Sequence, residues 1–345
     1  MARAPRRQSS ARPVRHLPVS KPTPRLLGVA ALLVATTSWG GLFLVGKGAL
    51  QYVGPIWLTV LRYGLGAVAV VPMLLPRGAA PWRRLGQHAL PLALYGLAGF
   101  GVFGVLLFIG LAHSVPSHGA VIMATMPLTT QFVNWLLDGT RPSRAALATT
   151  ALALVGVAVV SGVAAELFAA HGSAAATGTG FGDALILVGT LGWISYTRGA
   201  AQFTDLDVVE YTALTMVASF PLLLAGAMTA TLAGAAVLPT AAELRAATPA
   251  LLYISVVASA VAVLTFNVGV RTTGAVTATA FLNFVPVSAL LMSAALGHLP
   301  TTAEVVGTAM VIAALLLHTL FASRAVATPV AAGGTAVAQR AVPPG

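Results

Sequence analysis

Ten stretches of this chain are each about 20 residues long and apolar enough to cross the hydrocarbon core of a bilayer. They lie at 27–47, 54–75, 88–111, 117–137, 145–163, 181–198, 208–230, 249–269, 274–296 and 301–322. Hydrophobic residues make up 57% of the 345 and charged residues 8%, far too few charges for a water-facing surface of this size. In lipid every backbone amide must find its partner inside the protein, and stretches of this length do so as helices. The expected fold is therefore all-α, a polytopic membrane protein with ten transmembrane helices.

The ten segments fall into two sets of five. Moving the chain by 159 positions places Gly110 on Gly269 and Pro127 on Pro286, and lays Leu128 to Leu137 over Val287 to Leu296. A tandem copy of a hydrophobic helical unit points to a transporter built from two halves. The expected layout is a basic, disordered cytosolic tail at 1–26, a first five-helix repeat at 27–163 and a Gly/Ala/Ser/Thr-rich linker at 164–180. A second repeat at 181–322 and a disordered cytosolic tail at 323–345 follow, with one further small-residue linker around 231–247. Five is odd, so the second repeat enters the membrane upside down relative to the first.

The basic residues agree with that inversion. Arg3, Arg6, Arg7, Arg12, Arg15, Lys21 and Arg25 precede the first apolar run, and Arg77, Arg83, Arg84, Arg141, Arg144, Arg198 and Arg271 fall in loops on the same side. Only Lys47 and Arg245 fall on the other side, and Lys47 is expected to snorkel to the headgroups. This positive-inside pattern puts both termini in the cytosol and absorbs the +11 net charge without a nucleic-acid partner. Cysteine is absent, which removes disulfides, thiolate metal sites and thiol nucleophiles.

Polar side chains at membrane depth face protein or water, and they mark the expected site. Pro127, Gln131 and Asn134 share one face of the fourth span; the equivalent face of the ninth carries Thr279, Asn283 and Pro286. The two prolines each free a backbone carbonyl and are expected to act as hinges. Arg62 is the only arginine within a span, able either to attract an anionic or zwitterionic group or to clamp helix-end carbonyls. Trp39 and its repeat counterpart Trp193 lie too deep for interface anchors, leaving core packing or cavity lining. His118 is read as a structural histidine or a proton relay. All eight acidic residues fall in loops or at helix ends, so no buried carboxylate is expected.

The order and spacing of several short stretches carry a family likeness. Ser38-Trp39-Gly40-Gly41-Leu42-Phe43 leads to Lys47, Leu61-Arg62-Tyr63 stands in the second span, and Gly182-Asp183 with Trp193 opens the second half. With the two proline segments, these make residues 27–322 resemble the EamA type of the drug/metabolite transporter superfamily. The resemblance implies ten helices, cytosolic termini and transport of small metabolites. One departure is visible: the Gly-Glu pair usual at the end of the proline helices is replaced by Asp138-Gly139-Thr140 and Gly297-His298.

The functional expectation is a carrier of a small amino-acid-like metabolite, neutral, zwitterionic or anionic, working by alternating access as an exporter or exchanger. Expected partners are the lipid bilayer and a small-molecule substrate, with no cofactor and no metal; coupling to protons or a counter-substrate, and a homodimer, stay open. Substrate contacts are assigned to Trp39, Arg62, Gln131, Asn134, Trp193, Thr279 and Asn283. The competing reading is a polytopic intramembrane enzyme acting on a lipid-linked substrate. It is weakened by scattered histidines and the absence of Gly-x-Ser-x-Gly.

Overall fold

The computed structural model describes residues 24–139, 141–160, 179–273, 278 and 281–327. The first half contains α1 (Pro24–Ala49), α2 (Pro55–Val70, running on as a 3₁₀ turn over Val71–Arg77), α3 (Ala80–Gly96), α4 (Phe103–Ala112), α5 (Pro116–Ala124), α6 (Met126–Asp138) and α7 (Arg144–Val160). The second contains α8 (Gly180–Ala200), α9 (Val208–Leu232), α10 (Ala241–Leu252), α11 (Ala262–Thr273), α12 (Phe284–Ala295) and α13 (Thr302–Ala327). No strand occurs among the described residues, so the all-α expectation holds.

Among the described residues five rods are long and apolar enough to span by themselves: Arg25–Ala49, Pro55–Arg77, Ala80–Ala112, Val208–Leu232 and Ala241–Thr273. The pair α5 and α6, bent by 47° at Thr125, makes a sixth. The bend follows from Pro127, which sits in the first turn of α6 and cannot donate to the preceding turn. Pro286 is the third residue of α12, which starts at Phe284 after a turn at residues 282 and 283, inside the ninth expected span. The remaining expected spans fall on α7, α8, α12 and α13.

The two halves repeat each other in detail. The third rod of each half is 33 residues long and widens into a π-helical segment, Leu97–Val102 in the first and Tyr253–Val261 in the second, a few residues after Pro91 or Pro249. Among the described residues four glycines have positive φ, and they form two equivalent pairs. Gly78 and Gly234 close the second rods and Gly139 and Gly297 the proline rods, each at a positive φ that favours glycine. Residues 241–247, expected as linker, are helical because Thr240 and Glu243 form a reciprocal capping box.

Packing exchanges partners between the halves. α1 lies on α11 and α12, while its counterpart α8 lies on α4 and α5. α2 packs on α9 and α7 on α13, each rod meeting its own repeat equivalent. Glycines set these approaches. A Cβ on Gly110 would stand 2.5 Å from the Gly182 carbonyl oxygen, and one on Gly182 closer still to that of Gly110. The equivalent glycines, Gly269 and Gly28, meet Leu32 and Thr272 across the α1–α11 contact. At the α7–α13 contact, Cβ atoms on Gly156 and Gly307 would stand 2.8 and 2.5 Å from each other's carbonyl oxygens. Small residues that let backbones touch are how helices associate where lipid supplies no hydrophobic drive. The result is an inverted pair of repeats whose equivalent rods meet across the interface. The face where α1 begins is called proximal below and the opposite face distal.

Candidate functional site

Arg62 occupies the seam between the halves. Pro55 starts α2 with its ring at the first turn, and Arg62 then falls on the side facing the π-helical segment Tyr253–Val261. It is 5% exposed. Its Nε donates to Ser259 Oγ at 3.1 Å, and Ser259 in turn donates to the Ile254 carbonyl five residues back at 2.8 Å, a reach the π-helical winding allows. The guanidinium carbon lies 4.9 Å from the Tyr63 ring centre and 5.8 Å from that of Phe108. Its Nη1 is buried with no hydrogen-bond partner, as are Tyr63 Oη and Ser255 Oγ. No carboxylate pairs with Arg62 among the described residues, whose ion pairs all lie at the ends of the bundle. A guanidinium held this way costs several kcal/mol, about 2.5 kcal/mol at the least on insertion scales. The helix-end clamp considered for Arg62 is made by Lys47 instead: rather than reaching the headgroups, its Nζ donates to the carbonyls of Leu111, Ala112 and Ser114 at 2.7, 2.9 and 2.8 Å.

Both tryptophans flank this seam. Trp39 Nε1 donates to the Ala258 carbonyl at 3.0 Å and its ring meets Phe266. Trp193 packs on Phe103 and Tyr196. A run of ring contacts, Tyr63 to Phe100 to Tyr196, links the surroundings of Arg62 to Trp193. A small hollow of about 10 Å³ lies between α2, α9 and the third rod of the second half, lined in part by Val70, Val209, Thr212, Ser259 and Val263.

The polar residues of the first proline rod each meet a partner in the other half. Gln131 meets Nε2 of His318 on α13, whose Nδ1 meets Thr149 on α7. Asn134 Oδ1 accepts from Arg198 at the proximal end of α8. Asn283 is buried at the start of α12, which packs on α5, whereas α6 leans on α7 and α8. Thr279 lies outside the described residues. Pro286 is buried and Pro127 half-buried at the two breaks.

The chain's relatives match the architecture. The family model described as EamA-like transporter family matches residues 26–162 and again 180–320, one match for each half. The chain belongs to the EamA-like transporter family. It is 28% identical over 301 residues to a Bacillus subtilis (strain 168) protein named uncharacterized transporter YrdR, covering 86% of this chain and 92% of that one. It is also 28% identical over 308 residues to a Streptantibioticus cattleyicolor protein named probable terminal-alkyne amino-acid exporter, covering 87% and 97%. A solved crystal structure, 21% identical, shares the fold with a TM-score of 0.56 over 89% of this chain and 99% of that one.

The two EamA halves are tied together at both faces. On the proximal face Arg77 meets Asp207 at 2.6 Å, Arg84 meets Glu210 at 2.6 Å, and Arg198 grips Asp138 at 2.7 Å. Burial raises the Asp207 carboxyl, but hydrogen bonds from the Glu210 and Val209 amides and from Arg77 outweigh it and hold the pKa below its ordinary 3.8. On the distal face Asp183 accepts from the Ser114 hydroxyl and meets His118 Nδ1 at 2.9 Å, while Ser117 donates to Glu304. This corrects the expectation that no carboxylate is buried. Asp183 is 4% and Glu210 5% exposed, because each first-turn position is roofed by the other half. Sequence reasoning placed both correctly along the chain and missed what covers them. Gly182-Asp183 beside a span was the available signal for the first. For the second, the Asp207/Glu210 capping box is visible in the sequence but marks a helix start and not what covers it.

Proposed function

We propose that this EamA-like protein carries a small amino-acid-like metabolite, zwitterionic or anionic, across the cell membrane by alternating access. In this reading it works as an exporter or exchanger, and both termini are cytosolic, so the proximal face is the inner one. One observation supports it most: both faces are closed by polar ties between the halves, which can be exchanged without unwinding a helix. Rocking one half on the glycine-lined contacts would open one face while the other stays tied. The positive-inside distribution supports that orientation, and the exporter name of the Streptantibioticus relative points toward amino-acid-like cargo. The enzyme alternative has a specific geometric obstacle. Ser114 donates to Asp183 rather than to His118, so the hydroxyl is not placed on the imidazole that would have to activate it.

The test is uptake of a panel of labelled L-amino acids by proteoliposomes holding the purified full chain, with and without an imposed pH gradient. At least one is expected to accumulate above protein-free liposomes and to show counterflow. Panel-wide absence of movement under both conditions overturns the reading.

A further inference from the structure

We propose that Arg62, Tyr63 and Ser255 form the subsite for the carboxylate of the carried molecule. This rests on the transport reading above and names the group that reading leaves open. Three hydrogen-bonding groups in the seam are buried and unpartnered: Nη1 of Arg62, the Tyr63 hydroxyl and the Ser255 hydroxyl. Tyr63 is 3% exposed and Ser255 fully buried. They belong to two facing stretches. On α2, Gly66 stands one turn beyond Arg62, and a Cβ there would be 3.6 Å from the Ser255 carbonyl oxygen. On the π-helical segment, Ser259 stands one turn beyond Ser255 and receives the Arg62 Nε.

The chemistry of that set selects its occupant. Every member can donate, and one carries a fixed positive charge that no described carboxylate offsets. Buried polar groups are ordinarily satisfied, so three orphans in one seam are an exception that asks for a ligand. A carboxylate is acceptor-only, with lone pairs for several donors, and matches the fork of a guanidinium. A carboxamide of the same shape brings no charge and offers its own N–H groups to groups that donate. Arg62 is also held ready: Nε is pinned by Ser259, and the plane is flanked by the Tyr63 and Phe108 rings, so Nη1 is the edge left to bind. A small hollow between α2, α9 and this segment reaches Ser259, the residue that pins Arg62. The subsite spans both halves, α2 from one and the π-helical segment from the other, so its occupation senses how the halves sit.

The experiment uses proteoliposomes of the full chain and the L-amino acid identified in the uptake panel. Unlabelled competitors are that amino acid, its carboxamide, and the analogue that keeps the carboxylate but lacks the amine. The carboxamide is expected to compete about 10-fold less well than the acid or worse, and the desamino acid to keep competing. Arg62→Lys should keep the acid preference in weakened form, and Arg62→Met should lose it. The thermal midpoint of ligand-free Arg62→Met should be equal to or above wild type, because an uncompensated buried charge is replaced by an apolar side chain; a residue that only clamps the fold would lower it. If the wild type moves its amino acid and the carboxamide competes equally, the subsite is overturned while the transport reading stands. A clear drop in the Arg62→Met midpoint together with retained acid preference also overturns it. A panel in which nothing moves removes the transport reading itself, and the subsite with it.

Discussion

Gly182→Val is expected to leave no monodisperse folded protein in detergent. The carbonyl oxygen of Gly110 lies where the new Cβ must go, and Gly182 blocks Gly110 in return. Both obstacles are backbone, so relief requires α4 and α8 to part. They form one of the contacts that hold the halves together. Overpacking of this kind costs about 3 kcal/mol, and more where rigid backbone is the neighbour. Size-exclusion chromatography and thermal unfolding of the purified variant read the effect directly. Gly226→Val is the control: nothing lies within 4 Å of a Cβ there, and it should purify as wild type does. If Gly182→Val folds and melts like the control, the close approach of the two rods is wrong.

The second large effect concerns motion. A double variant with Ser117→Cys and Glu304→Cys places thiols across the distal tie, and one with Asp138→Cys and Arg198→Cys does so across the proximal tie. Bridging either pair with a short bis-methanethiosulfonate reagent should bring transport to the protein-free level, and a reductant should restore it. Single-cysteine variants treated alike should keep their activity. Each bridge holds one face shut, and a carrier that must open its faces in turn stops when either cannot open. Because the chain contains no cysteine, no background crosslink competes. Undiminished transport with the distal pair fully bridged would mean that this face does not open during the cycle.

Much of the fold is legible in the sequence, and the reasons are physical. Spans of apolar residues report themselves locally, since lipid allows little else. The coincidence of Gly110 with Gly269 and Pro127 with Pro286 reflects real constraints: the glycines each meet the first rod of the other half, and the prolines each sit at a helix break. Arg62 stood out because an arginine inside a span is costly wherever it points. What stayed hidden depends on partners far away in sequence. His318, the partner of Gln131, is 187 residues away, and Arg198, the partner of Asn134, is 64. The spacing of Pro127, Gln131 and Asn134 is sound helical geometry, and the 47° bend beside Thr125, with α6 against α7 and α8, is not visible in it. Asp183 looked exposed because it begins a helix, and only the opposing half shows that it is covered. The π-helical segments carry no local signature beyond small residues after a proline.

Topology tests the inverted duplication most directly. Single cysteines at Ala80, Arg141, His113 and Ala235, all exposed, can be labelled in sealed vesicles with a membrane-impermeant thiol reagent. Positions 80 and 141 should react from one side only, and positions 113 and 235 only from the other. Labelling of 80 and 141 from opposite sides would contradict the arrangement of the first half, and with it the inverted second half and the rocking seam.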